Sequence, residues 1–155
     1  MTDETDNFQE AYRLATVDDD VAGALSICSE ILNLQPGHFN ARMLEGCLLA
    51  DSSDSKQRLL GRNNFLFALK ALLCDTGKGV LWLEENPRYQ LALWERKNGN
   101  SMAAAIMFAI DYVMSQTQGS REQMYELANE GLSSKDWDRV KETLDAILQN
   151  AENTC

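Results

Sequence analysis

"ALSICSEILNLQPGHFNARMLEG" (residues 24–46) decides the fold, since it is either one helix broken at a Pro-Gly or two helices packed as a unit. Before the break, Leu25, Ile27, Cys28, Ile31, Leu32 and Leu34 set out a strongly amphipathic helical pattern. Pro36 withholds a backbone donor and Gly37 tolerates a left-handed turn, so the first helix stops at Gln35. A second helix starts near His38 and carries Phe39, Met43, Gly46, Cys47, Leu48 and Leu49. The segment therefore predicts two helices and a short turn. Such a pair buries its apolar face by stacking on another, and small residues such as Ala24 and Gly46 allow close approach.

Upstream, the polar start predicts flexibility over residues 1–6, with order beginning near Phe8. Phe8, Tyr12 and Ala15 lie at helical spacing, and "VDDD" supplies a break and an acidic cap. The same design returns near the other end. Met124, Leu127 and Ala128 line one helix, "SSKD" turns the chain, and Trp137, Val140, Leu144, Ile147 and Leu148 line the last helix, with Asp136 as its expected cap.

Residues 12–50 and 121–149 thus resemble tetratricopeptide repeats. Ala24 stands at the small first-helix position, Ile31 at an apolar one, and Pro36 closes the unit; Gly46 is the small residue of the next. Ala128, Trp137 and Val140 carry the later likeness. Arg42 occupies a place where the family usually has a large aromatic, and Val140 one where it prefers alanine. The resemblance implies a short right-handed α-solenoid of antiparallel helix pairs, with Gly46 and Ala128 at close helix contacts. It also implies protein binding, as in adaptors and in the small acidic chaperones of secreted bacterial proteins.

The centre, residues 56–117, is helical without repeating cleanly. Leu59, Leu60, Phe65, Leu66, Leu69, Leu72 and Leu73 define one segment, which Gly61 with Asn63-Asn64 is expected to break. "VLWLEEN" reads as a helical turn, a brief buried segment or a strand. Asn86-Pro87 reads as a cap followed by proline at the first helical position, and Gly99 closes that helix. The segment after it, capped by Asn100 or Ser101, is apolar around its circumference and is expected to be the most buried. Seven to nine helices leave no room for a sheet, giving an all-α fold in a single domain, residues 1–155.

With 155 residues and 45% hydrophobic side chains, the chain can bury a core without crosslinks. A formal charge of −10 disfavours non-specific binding to phosphate backbones. That charge is segmented: residues 1–55 hold 11 acidic and 2 basic side chains, residues 56–97 hold 4 and 8, and residues 98–155 hold 9 and 4. Cys28, Cys47, Cys74 and Cys155 form no C-x-x-C and no cluster with His38, so no metal site is expected; the first three read as buried apolar residues. The longest apolar run, residues 102–110, is too short to cross a bilayer, and the absence of a basic, then apolar, leader predicts a cytoplasmic or otherwise intracellular protein.

No reaction is spelled out. "TGKG" (residues 76–79) lacks the glycine spacing and the Ser or Thr of a phosphate loop. His38 has no sequence-near nucleophile and reads as a capping or surface residue. Asp18, Asp19, Asp20, Glu84 and Glu85 offer carboxylates without a catalytic arrangement. Neither an enzyme nor a cofactor is predicted. Asp111, between Ile110 and Tyr112, either lies on an exposed stripe or meets a central arginine.

The candidate protein-binding residues are Arg58, Arg62, Arg88, Tyr89, Arg96 and Lys97, where basic and aromatic side chains intermix within an acidic chain. The function expected is an adaptor or chaperone-like module that holds a peptide or helix of a protein partner, self-association being compatible and nucleic acid disfavoured. The alternative is an acidic inhibitor or regulator of a basic or nucleic-acid-binding protein.

Overall fold

The computed structural model describes residues 4–74, 86–115, 118–130 and 132–151. Among the described residues the secondary structure is all helical, with eight α-helices. Contacts divide the chain into two compact units, Met1–Ala71 and Leu72–Cys155.

In unit 1, α1 (Glu4–Thr16) packs on α2 (Val21–Leu34), α2 packs on α3 (Phe39–Ala50), and α1 also touches α3. Helical backbone begins at Glu4, inside the segment expected to be flexible; residues 1–3 lie outside the described residues. Each aspartate of the "DDD" turn has its own task. Asp18 accepts from Arg13, Asp19 adopts a left-handed φ of 54°, and the Asp20 side chain caps α2 by accepting from the Gly23 N–H at 2.9 Å.

The 35–38 turn joins two helices, as the sequence predicts. His38 Nδ1 accepts from the Ala41 N–H at 3.1 Å and thereby caps α3, while its ring lies 5.9 Å from that of Phe8 on α1. Ala24, Cys28, Ile31 and Leu32 form the buried stripe of α2, and Leu34, expected to share it, is 78% exposed. Leu34 is the last residue of its helix and borders an open surface cleft together with Ile27 and Ile31.

The helix α4 (Ser55–Cys74) is continuous through Gly61, contrary to the expected break. Gly61 is instead buried against α3: a Cβ there would lie 2.8 Å from both the Gly46 carbonyl oxygen and the Ala50 nitrogen. A Cβ on Gly46 would in turn lie 2.7 Å from the ring of Phe65. Two glycines thus allow α3 and α4 to approach at backbone distance, with Phe65 filling the space beside them.

Unit 2 contains α5 (Pro87–Lys97), α6 (Ser101–Ser115), α7 (Gln118–Asn129) and α8 (Ser134–Ala151). Asn86 caps α5 through its Oδ1, which accepts from the Arg88 N–H at 2.9 Å; Pro87 follows at the first turn, and Gly99 closes the helix at φ 83°. α6 begins after Asn100 and packs against α5, α7 and α8. Its alanine-rich face supplies Ala104 and Ala105, which join Phe108, Ala92, Leu127 and Val140 in the core. The short alanine side chains let neighbouring helices come close on several sides.

α8 is capped by Ser133, whose Oγ accepts from the Asp136 N–H at 3.2 Å; Asp136 lies within the first turn and is not the cap. The "TGKG" segment, "VLWLEEN" before Asn86, and Cys155 lie outside the described residues, as do the side chains of Leu72, Leu73, Cys74, Leu144, Ile147 and Leu148.

Candidate protein-binding groove

The central arginines have partners inside the chain. Arg88 is buried, and its Nε lies 3.5 Å from Oδ1 of Asp111, which is fully buried. Asp111 also accepts from Asn86 Nδ2 and from the Ser120 hydroxyl, at 2.6 Å. One carboxylate thereby ties the start of α5 and the first turn of α7 to α6. Burying it is tolerable because both oxygens are hydrogen-bonded and a cation lies beside it. Of the two expectations for Asp111, the structure realises the arginine partner.

Arg96 turns to α7. Its Nη1 donates to Gln123 and, at 2.7 Å, to Glu126, while Nη2 donates to Glu130 at 2.7 Å. The Glu126 hydrogen bond, ahead of the two glutamate charges, raises the guanidinium above its ordinary pKa. Tyr89 packs on Phe108 with ring centroids 5.7 Å apart, and its hydroxyl approaches Gly119 closely enough that a Cβ there would stand 3.0 Å away. The acidic groups that the sequence reading sought on a partner are, for Arg88 and Arg96, Asp111 and two glutamates of α7. Lys97 is exposed at the end of α5. In unit 1, Arg58 donates to the carbonyls of Ser52 and Ser53, and Arg62 is half-buried on α4.

A groove of about 290 Å³ lies elsewhere in unit 2, lined by Tyr112 of α6, Arg121, Met124, Tyr125 and Ala128 of α7, and Trp137 of α8. The four α7 residues follow the spacing i, i+3, i+4, i+7 and so share one face. Tyr125 is 61% exposed, and the Arg121 guanidinium carbon lies 5.7 Å from its ring centroid. Among the described residues Arg121 makes no ion pair; a hydrogen bond with Tyr125 holds its pKa above the ordinary value. Ala128 is exposed and lines this groove, so its small side chain keeps space open where the repeat pattern placed a tight helix contact. Sequence reasoning missed Tyr112, Arg121 and Tyr125. The signal available was the R-x-x-M-Y-x-x-A pattern, in which an aromatic and a cation share the face of the small residue.

The remaining chemistry is sparse. Burial, with a smaller contribution from the charge of Glu45, pushes the Cys28 thiol up to about 12, which removes it as a nucleophile near neutrality. Among the described residues no group of three or more His, Cys, Asp or Glu side chains is placed to hold a metal, and no helix is long and apolar enough to cross a membrane. Compared with protein-family models, curated proteins and solved structures, the chain matches none.

Proposed function

We propose that the chain is a protein-binding module, an intracellular adaptor or chaperone-like protein rather than an enzyme, that holds a segment of a partner in the groove of unit 2. In this reading its consecutive helix pairs are divergent tetratricopeptide-like repeats with the right-handed winding of that family. The observation that carries the proposal is the groove itself, where Tyr112, Met124, Tyr125 and Trp137 offer apolar surface around the open space left by Ala128. Aromatic and methionine side chains of this kind anchor peptide contacts, and Arg121 adds a cation at the rim. The segment expected is a large apolar side chain next to a carboxylate.

Selection of a displayed random peptide library on the intact protein tests this. Peptides enriched for an apolar residue beside Asp, Glu or a C-terminal carboxylate are expected, and Ala128→Trp, which fills the groove, is expected to abolish their binding. Failure to enrich any such peptide, or equal binding to Ala128→Trp, would overturn the proposal.

A further inference from the structure

The helix α4 presents a second surface, on unit 1. Its buried side is formed by Gly61, Asn64, Phe65 and Ala68. On the other side Leu59, Leu60, Leu66 and Phe67 are 53%, 55%, 39% and 44% exposed. Their positions, with exposed Asn63 between them, follow i, i+1, i+4, i+7, i+8 and make one stripe along the helix. Lys56 and Lys70 are exposed and continue it at either end, and neither makes an ion pair among the described residues.

A further cation is fixed at the edge. The Arg42 guanidinium carbon sits 4.4 Å from the Phe67 ring centroid, held by hydrogen bonds of 2.9 Å to the Pro36 carbonyl and to Asn64 Oδ1. Asn64 is itself oriented by donating to Glu45 at 3.1 Å. In a chain of formal charge −10, α4 holds four basic side chains and no acidic one.

We propose that this stripe docks an acidic amphipathic helix of a partner protein. The distance from Lys56 to Lys70 is about 21 Å along the helix axis, enough for a partner helix of about four turns. Leucines of that helix would cover Leu59, Leu60, Leu66 and Phe67, and carboxylates on its flanks would meet Lys56, Lys70 and Arg42. Charge decides against the other occupants. A second copy paired through the same stripe would bring the same lysines to face these, and an anionic membrane or a nucleic acid is an extended polyanion that meets the field of the whole −10 chain. A nucleic acid would also leave the three leucines without a complement. The surface is distinct from the unit 2 groove, and the proposal stands without it.

The test uses the full chain and a fluorescein-labelled 16-residue peptide with leucines at helical spacing and glutamates on the flanks. Controls are a shuffled peptide of the same composition, the counterpart with lysine for glutamate, and vesicles of phosphatidylserine and phosphatidylcholine. The acidic helix is expected to bind, to weaken at least tenfold with Leu60→Ser/Phe67→Ser, and to weaken at least tenfold with Lys56→Glu/Lys70→Glu. The second pair leaves the apolar stripe intact, so its effect reads charge alone, and circular dichroism of each variant checks the fold. Affinity that falls with salt also supports the proposal. No binding by the native chain, equal binding of the shuffled or basic peptide, tighter capture by vesicles, or self-association abolished by the same substitutions would each overturn it. Ala128→Trp, assayed in parallel, is expected to leave this binding unchanged, so the α4 surface and the unit 2 groove fail or survive separately.

Discussion

Gly61 of α4 lies over the carbonyl of Gly46 on α3, so close that a single methyl group on Gly61 would stand 2.8 Å from that oxygen. Backbone cannot yield as a flexible side chain can, and the helices would have to separate.

Gly61→Ala makes this relationship measurable, because two effects oppose each other. Alanine in a helix interior is favoured over glycine by about 1 kcal/mol, whereas overpacking costs about 1–3 kcal/mol. Net destabilisation is expected for Gly61→Ala. A larger loss is expected for Gly46→Leu, whose side chain enters the space of the Phe65 ring. Urea denaturation with unchanged or raised midpoints at both sites would contradict the close crossing.

Ala128→Trp should behave differently. Ala128 is exposed and borders open space, so the fold is expected to lose no more than about 0.5 kcal/mol, as at ordinary surface sites. A thermal or denaturant melt separates this outcome from the larger loss that a close helix contact would give.

Asp111→Ala removes the acceptor of Asn86 and Ser120 and leaves the Arg88 charge buried. A loss of about 3–5 kcal/mol is expected. Adding Arg88→Met should recover part of it, because the buried charge that faced Asp111 is then gone as well. A double-mutant cycle with no coupling would sink the assignment of Arg88 and Asp111 as partners. By contrast, the glutamates that hold Arg96 are more than half exposed, and Glu130→Gln should cost about 1 kcal/mol or less.

Cys28 predicts a pH dependence of stability. Its folded thiol titrates at about 12, above the ordinary thiol value of 9.0 expected on unfolding. Between these values the unfolded chain has released the proton and the folded chain retains it, so stability falls as pH rises. The contribution is fully present below pH 9 and is lost by pH 12. In a variant with Cys47, Cys74 and Cys155 replaced by serine, comparing alkaline unfolding with and without Cys28→Ala isolates the effect. Parallel stability curves from pH 8 to 11 would refute it.

Much of the helix order was legible because local chemistry marks it. Pro36-Gly37 and Asn86-Pro87 each change what the backbone can donate or adopt, and His38 stood beside a turn that needed a cap. Asp111 announced itself as a carboxylate in an apolar run, although its arginine had to be found through the fold. Gly61 misled because a glycine in a helix looks the same in sequence whether it weakens the helix or admits a neighbour. Ala128 misled for the converse reason: a small side chain fits a crowded contact and an open groove equally well, and only the positions of Tyr112 and Trp137 distinguish them. The ion pairs of Arg88 and Arg96 were not legible, because their acidic partners lie 23 to 34 positions away in the chain.

Asn86 uses both ends of one amide, its oxygen on the Arg88 N–H and its nitrogen on Asp111. Loss of ammonia from this side chain would replace a donor with a carboxylate and set two anions face to face. The usual spontaneous route to that damage begins with attack by the backbone nitrogen of the following residue. Here that residue is Pro87, whose nitrogen carries no hydrogen. The proline that opens α5 therefore also protects its cap against chemical ageing, and a Pro87→Gly variant should accumulate Asp and isoAsp at position 86 on prolonged incubation.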